Sequence, residues 1–262
     1  MDYDYSNDVF DIIIKGGQSN SEGCGIGPVE KPYEPYPEIL MMKNDFSIDI
    51  ARENYYEGNT IGDLSLSFAE KYISDGKLKN GRKINSNRRL LILMAAVGGT
   101  GFCDRRWGLQ DDLYLKMIEM IKAALSLNPD NCVVAFIWHQ GESDTANPVH
   151  DIHYKNLRTL VENVRQTAGN DNLPFIAGDF VQKWYNENID VCKPIVTAIK
   201  DVCTDIGHAV FVETGGLTSN AEVTGNDDII HFSREALYEL GRRYYDAFCA
   251  IPERHEKMLK LL

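Results

Sequence analysis

Val9-Phe10-Asp11-Ile12-Ile13-Ile14-Lys15-Gly16-Gly17-Gln18-Ser19-Asn20 is the stretch on which the fold of this chain turns. The run Val9 to Lys15 is apolar and rich in β-branched side chains, the pattern of a buried strand. The glycine pair lets the backbone turn tightly, and Ser19 falls where the next segment begins. A serine at the carboxyl end of a central strand, close to a helix N-terminus, is well placed as an exposed nucleophile. A plain Gly/Ser/Asn turn fits the same pentapeptide, so the choice rests on residues elsewhere.

Four further runs read as strands: Leu90 to Val97, Cys132 to Trp138, Pro174 to Phe180 and Ala209 to Glu213. Apolar stripes of helical period lie around them. They run through Leu64, Phe68 and Tyr72, through Leu113, Met117 and Ile121, through Leu157, Leu160 and Val164, through Ile195, Ile199 and Val202, and through Leu237, Leu240 and Tyr244. Near-continuous apolar strands alternating with amphipathic helices predict an α/β fold with a parallel sheet covered on both faces. One domain over residues 1–262 is expected. An irregular insertion around 23–59, rich in Pro, Tyr, Gly and Glu, is expected to form a short hairpin at Ile39 to Met42 and to wall a cleft. Asp75 to Asn87 reads as an exposed connection.

A net charge of −12 makes nucleic acid and anionic membrane surfaces poor partners. No basic leader precedes an apolar stretch and no segment is long enough to span a bilayer, so a cytoplasmic location is expected. The six cysteines show no CxxC pair or metal spacing, which fits free thiols. His150, Asp151 and His153 with Asp144 have metal-ligand chemistry, but no third ligand stands at a set spacing. No metal is therefore expected.

Three motifs carry chemistry. Gly98-Gly99-Thr100-Gly101 follows the second strand, where bare backbone amides can face an oxyanion or simply form a βα turn. It does not match GxGxxG, so a dinucleotide site is not expected. His139-Gln140-Gly141-Glu142-Ser143-Asp144 follows the third strand, at the ligand-facing rim of an open α/β sheet. Gln140 can donate to a developing oxyanion, and Glu142 can orient a partner or receive a substrate hydroxyl. The bland alternatives are that Ser143 or Asp144 caps a helix and that His139 is a satisfied core group. Asn226-Asp227-Asp228-Ile229-Ile230-His231-Phe232-Ser233 precedes the last helix, which Ser233 is suited to cap. Asp228, three residues before His231, can accept the imidazole Nδ1–H and leave Nε2 free for a serine proton, whereas Asp227 is one residue off.

Taken as a set, these pieces resemble the SGNH-type (GDSL-like) hydrolases. Among them the chain is similar to the sialate O-acetylesterase and acetylxylan esterase group, family six of the carbohydrate esterases. The matching residues are Gly17-Gln18-Ser19-Asn20, Gly98-Gly99-Thr100, Trp138 to Asp144 and Asp228-Ile229-Ile230-His231-Phe232. The resemblance implies a flavodoxin-like three-layer α/β/α sandwich on a five-stranded parallel sheet of order 2-1-3-4-5. It implies Ser19 as nucleophile, His231 as base and Asp228 as orienting acid, with oxyanion donors from Ser19, Gly98 or Gly99, and Gln140. Gln18, Asn20, Thr100 and Glu142 become substrate-binding or orienting residues. Two departures stand near the expected acyl or sugar pocket: Ser21, where the group commonly has methionine, and Gly101-Phe102-Cys103 after the glycine pair.

The activity expected is removal of O-acetyl groups from carbohydrates, acetylated xylan, other oligosaccharides or sialic acid, through an acetyl-enzyme and without a cofactor. Its rivals are a GDSL-like lipase or thioesterase with a longer acyl preference and a catalytically silent carbohydrate-binding homologue. The expected partner is a small-molecule or oligosaccharide substrate, and a homo-oligomer stays open. Tyr33, Tyr36, Tyr55, Tyr56 and Trp107 are the aromatics available to cover sugar faces.

Overall fold

The computed structural model describes residues 4–75 and 88–252. Beyond Asp75, the expected 75–87 connection lies outside them. The strands are β1 (Val9–Gly17), β2 (Ile39–Met42), β3 (Ile48–Ile50), β4 (Asn54–Tyr56), β5 (Asn59–Ile61), β6 (Arg88–Met94), β7 (Cys132–His139), β8 (Phe175–Gly178) and β9 (Ala209–Val212). The helices are α1 (Ser19–Glu22), α2 (Leu64–Ser74), α3 (Asp112–Ser126), α4 (His150–Thr167), α5 (Gln182–Glu187), α6 (Ile189–Asp205), α7 (Asn220–Thr224) and α8 (Arg234–Ala250).

The central sheet runs β3-β2-β6-β1-β7-β8-β9, and every pair is parallel except β2 with β3. The five strands read from the sequence lie in it in the order 2-1-3-4-5. The sheet nevertheless has seven strands, not five. The expected hairpin at Ile39 to Met42 is formed by β2 with β3, and β2 also pairs in register with β6, which extends the sheet. A second hairpin, β4–β5, stands apart from it.

Alternation along each strand divides the core in two. Phe10, Ile12, Ile14, Leu91, Leu93, Phe136 and Trp138 pack with α3, α4 and α6 on one face. Ile13, Leu90, Ile92, Ala135 and Ile137 pack with α2 and α8 on the other. On that second face, a Cβ at Gly241 would come within 2.0 Å of the Leu64 carbonyl oxygen, so only glycine lets α8 lie so close to α2.

One buried charge ties the second face to the end of β1. Lys15, wholly buried, sets its ammonium 2.5 Å from Asp63 Oδ2 and donates to the Glu22 carbonyl at 3.2 Å. Asp63 is also the N-cap of α2, accepting from the Ser65 amide at 2.8 Å. The pair thus joins β1, α1 and α2. Asp63→Ala should lower the unfolding free energy by about 3–5 kcal/mol, because it strands a buried ammonium. Urea denaturation checks this, and adding Lys15→Met to the same variant should recover part of the loss.

Candidate active site

The carboxyl ends of β1 and β7 emerge together, since Gly17 is in register with His139 and the Gln18 amide donates to the His139 carbonyl at 2.9 Å. Gly17 has φ +125°, and a Cβ there would come within 2.1 Å of that carbonyl oxygen. No side chain fits. The turn therefore delivers Ser19, half-buried, onto the first turn of α1.

His231 reaches Ser19 from the loop before α8. Its Nε2 lies 2.9 Å from Ser19 Oγ, and its Nδ1 lies 2.9 Å from the Asp228 carboxylate. The His231 amide also donates to Asp228 Oδ1 at 3.2 Å. Burial works against ionisation of Asp228, but hydrogen bonds from His231 and from Asn220 (2.8 Å) outweigh it and hold the carboxyl below its ordinary range. A carboxylate on Nδ1 sets the tautomer with its lone pair on Nε2, facing the serine hydroxyl. Asp227 is exposed, and its carboxylate takes no part in this chain of bonds.

Asn20 and Glu142 hold the histidine loop in place. Asn20 accepts from the Phe232 amide at 3.0 Å and donates to the Ile230 carbonyl at 3.1 Å, bracketing His231 on both sides. It also donates to Glu142 Oε1 at 2.8 Å, so Glu142 orients Asn20. Gln18 turns its carbonyl oxygen toward the loop after β7, accepting from the Ser143 and Gly141 amides at 3.1 and 3.4 Å.

His139 lies behind this network as a core group. Tyr244 gives its hydroxyl hydrogen to the Trp138 carbonyl at 3.1 Å, so the His139 Nδ1, 3.0 Å away, donates to the Tyr244 oxygen. Its Nε2 then faces Glu142 Oε1 at 3.7 Å. Burial pushes the His139 imidazole down to about 3 and the Glu142 carboxyl up. Burial thus keeps the His139 imidazole neutral beside Glu142.

Two expected oxyanion donors are committed elsewhere. The Gly98 amide donates to Glu22 Oε2 at 2.6 Å. The Gln140 Nε2 donates to Asp144 Oδ2 at 2.9 Å and to the Thr100 carbonyl at 3.3 Å, with Gln18 Oε1 at 3.4 Å. These bonds make Gln140 a brace between the loops after β6 and β7. Asp144 is more than a helix cap: burial raises its pKa, yet bonds from His153, the Cys103 amide and Gln140 hold it down at about 2. The Thr100 hydroxyl is also internal, donating to the Val97 carbonyl at 2.7 Å and accepting from Trp107 at 3.0 Å. The amides of Ser19 and Gly99 donate to no acceptor among the described residues.

A cleft of about 670 Å³ opens beside the Ser19–His231–Asp228 chain, with Asp228, His231, Glu22 and the β4–β5 hairpin in its walls. Tyr55 and Tyr56 line it and are 74% and 65% exposed. Tyr33 and Tyr36 line a separate cavity of about 580 Å³ against α2 and α8, and Trp107 is fully buried. Neither Ser21 nor Gly101-Phe102-Cys103 lines the cleft. Asn220, which sequence reading missed, is placed by a capping box at Ser219 and Glu222, and that S-x-x-E signature was there to be found. Among the described residues, no cluster of His, Cys, Asp and Glu side chains is arranged to hold a metal, and no helix is long and apolar enough to cross a membrane. His150 pairs with Asp151 and Asp201, while His153 pairs with Asp144.

A family model of the sialic acid-specific acetylesterases matches residues 9–250, and the chain belongs to this carbohydrate esterase family. NanS superposes with a TM-score of 0.75 at 18% identity, over 93% of this chain and 97% of its own. A protein from Arabidopsis thaliana superposes with a TM-score of 0.69 at 19% identity, over 91% of this chain and 97% of its own. A carbohydrate acetylesterase from Xanthomonas citri superposes with a TM-score of 0.55 at 15% identity, over 92% of this chain and 56% of its own. At such identities the likeness is one of fold. No curated protein matches the chain.

The neutral His139 has a consequence for stability. The unfolded imidazole takes up a proton below about 6.5 while the folded one refuses it down to about 3, so stability is lost as pH falls through that window. Between pH 7 and pH 5 this amounts to about 2 kcal/mol. Urea unfolding at the two pH values should show His139→Gln less acid-sensitive than the unaltered protein by that amount.

Proposed function

We propose that this protein is a serine esterase that removes O-acetyl groups from carbohydrates through an acetyl-enzyme. The observation that carries the proposal is the hydrogen-bonded chain Ser19 Oγ, His231 Nε2, His231 Nδ1 and Asp228, with 2.9 Å at both junctions, whose His231 and Asp228 line an open cleft. Ser19 Oγ attacks the ester carbonyl carbon as His231 Nε2 takes its proton. Asp228 stabilises the imidazolium and remains ionised. The oxyanion faces the amides of Ser19 and Gly99, which donate to no acceptor among the described residues. The intermediate collapses, the sugar oxygen leaves with the proton from His231, and the acetyl group stays on Ser19. Water then attacks with His231 again as base, releasing acetate and restoring the serine.

On an aryl acetate, Ser19→Ala should lose on the order of 10³-fold or more in kcat and fail to label with a fluorophosphonate. Asp228→Asn should fall heavily as well, because an amide can favour the wrong tautomer, while Asp227→Asn should stay near the unaltered enzyme. Full turnover by purified Ser19→Ala, or equal losses for the two aspartates, overturns the assignment.

The cleft is lined by two exposed tyrosines together with asparagine and carboxylate side chains, which suits a short acyl group on a polyol better than an alkyl chain. Aryl acetate should therefore be cleaved at least about tenfold faster than aryl octanoate in kcat/KM. Equal or faster cleavage of the octanoate would move the assignment to a lipase-like enzyme.

A further inference from the structure

The cleft wall carries carboxylates without matching cations. Glu22 and Glu57 line it beside Asp228, and no lysine or arginine does so among the described residues. Glu22 is held in place by the Gly98 amide at 2.6 Å. Glu57 sits at the turn of the β4–β5 hairpin, where its carboxylate raises the pKa of the neighbouring Tyr56 phenol. Two buried or half-buried cations near the site, Arg234 and Lys15, are already neutralised. Arg234, packed behind Gly25 and Gly62, is gripped by Glu53 through both carboxylate oxygens at 2.9 and 2.6 Å. Lys15 is buried against Asp63. The net charge of −12 adds a repulsive far field.

A sugar acid needs a cationic partner, of which a planar guanidinium fork is the best fit, and pays for each uncompensated carboxylate it approaches. Two exposed tyrosines, by contrast, offer ring faces and hydroxyls to any sugar, charged or not. We propose that this cleft selects acetylated sugars that carry no negative charge, and that Glu57 is a specificity-determining residue that repels sugar acids. This rests on the acetylesterase assignment for its kinetic consequence, but not for its consequence in binding.

The probes are 9-O-acetyl-N-acetylneuraminic acid and its carboxyl methyl ester, which share the acetyl position and differ in one charge. At low ionic strength, acetate release from the methyl ester should exceed that from the acid by at least about tenfold in kcat/KM, and the ratio should shrink as salt screens the cleft. Glu57→Lys should cut the ratio to about a third or less, reading the charge of that side chain directly. Calorimetric titration of Ser19→Ala with both probes should give the methyl ester the tighter binding by a similar factor. Equal or faster turnover of the acid, equal or tighter binding of it, or binding of neither probe overturns the proposal. Loss of aryl acetate hydrolysis and of fluorophosphonate labelling would instead defeat the esterase assignment, and the titration would still decide the charge selectivity.

Discussion

The register of β1 against β7 is the constraint on which the rest of this structure depends. Gly17 lies against the backbone of His139, and the Gln18 amide closes on the His139 carbonyl. This contact brings two loops, 122 residues apart in the chain, out of the sheet at one point. Ser19 rides on the first and Glu142 on the second, and Asn20 bonds across to Glu142 and onward to the backbone either side of His231. A side chain at position 17 would separate the strands, and the serine, the histidine loop and their supports would part with them. The site is therefore anchored at the centre of the sheet, where parallel strands buried on both faces resist local opening.

The charges near the site are handled in different ways, each fitted to its depth. Lys15 and Asp63, deep under β1, form a close ion pair that also caps a helix. Asp144 stays ionised because three donors converge on it despite its burial. Burial alone drives the His139 imidazole to its neutral form, and it raises the Glu142 carboxyl even against the hydrogen bond from Asn20. Asp228, only partly buried, keeps its charge through His231 and Asn220. The carboxylate on His231 thus keeps its charge, while the neighbouring buried Glu142 orients Asn20 by hydrogen bonding.

Much of the architecture was legible beforehand, for reasons visible in particular residues. The β1 run and its four counterparts are almost wholly apolar, and a strand buried on both faces can look like little else. Asp228 and His231 are three residues apart on one loop, so their pairing is a local matter. Ser233 was readable as the N-cap of α8, and its hydroxyl does accept from the Ala236 amide at 3.3 Å. The two added strands were harder. β2 is only Ile39–Met42, and β3, Ile48–Ile50, has an aspartate at its centre, so neither shows a period long enough to read. The β4–β5 hairpin is mostly exposed and carries no core pattern at all.

By itself, then, the sequence determined the alternation of buried strands and amphipathic helices, the glycine turn before Ser19 and the local pairing of Asp228 with His231. Hydrophobic period, glycine backbone freedom and short-range spacing are properties of neighbouring residues. Only the tertiary structure decided that Gln140 braces Asp144 and Thr100, that the Gly98 amide meets Glu22, that Trp107 is buried and that Tyr55 and Tyr56 face the cleft. A buried polar group bonds to whatever the fold brings within about 3 Å, and that partner can lie anywhere along the chain.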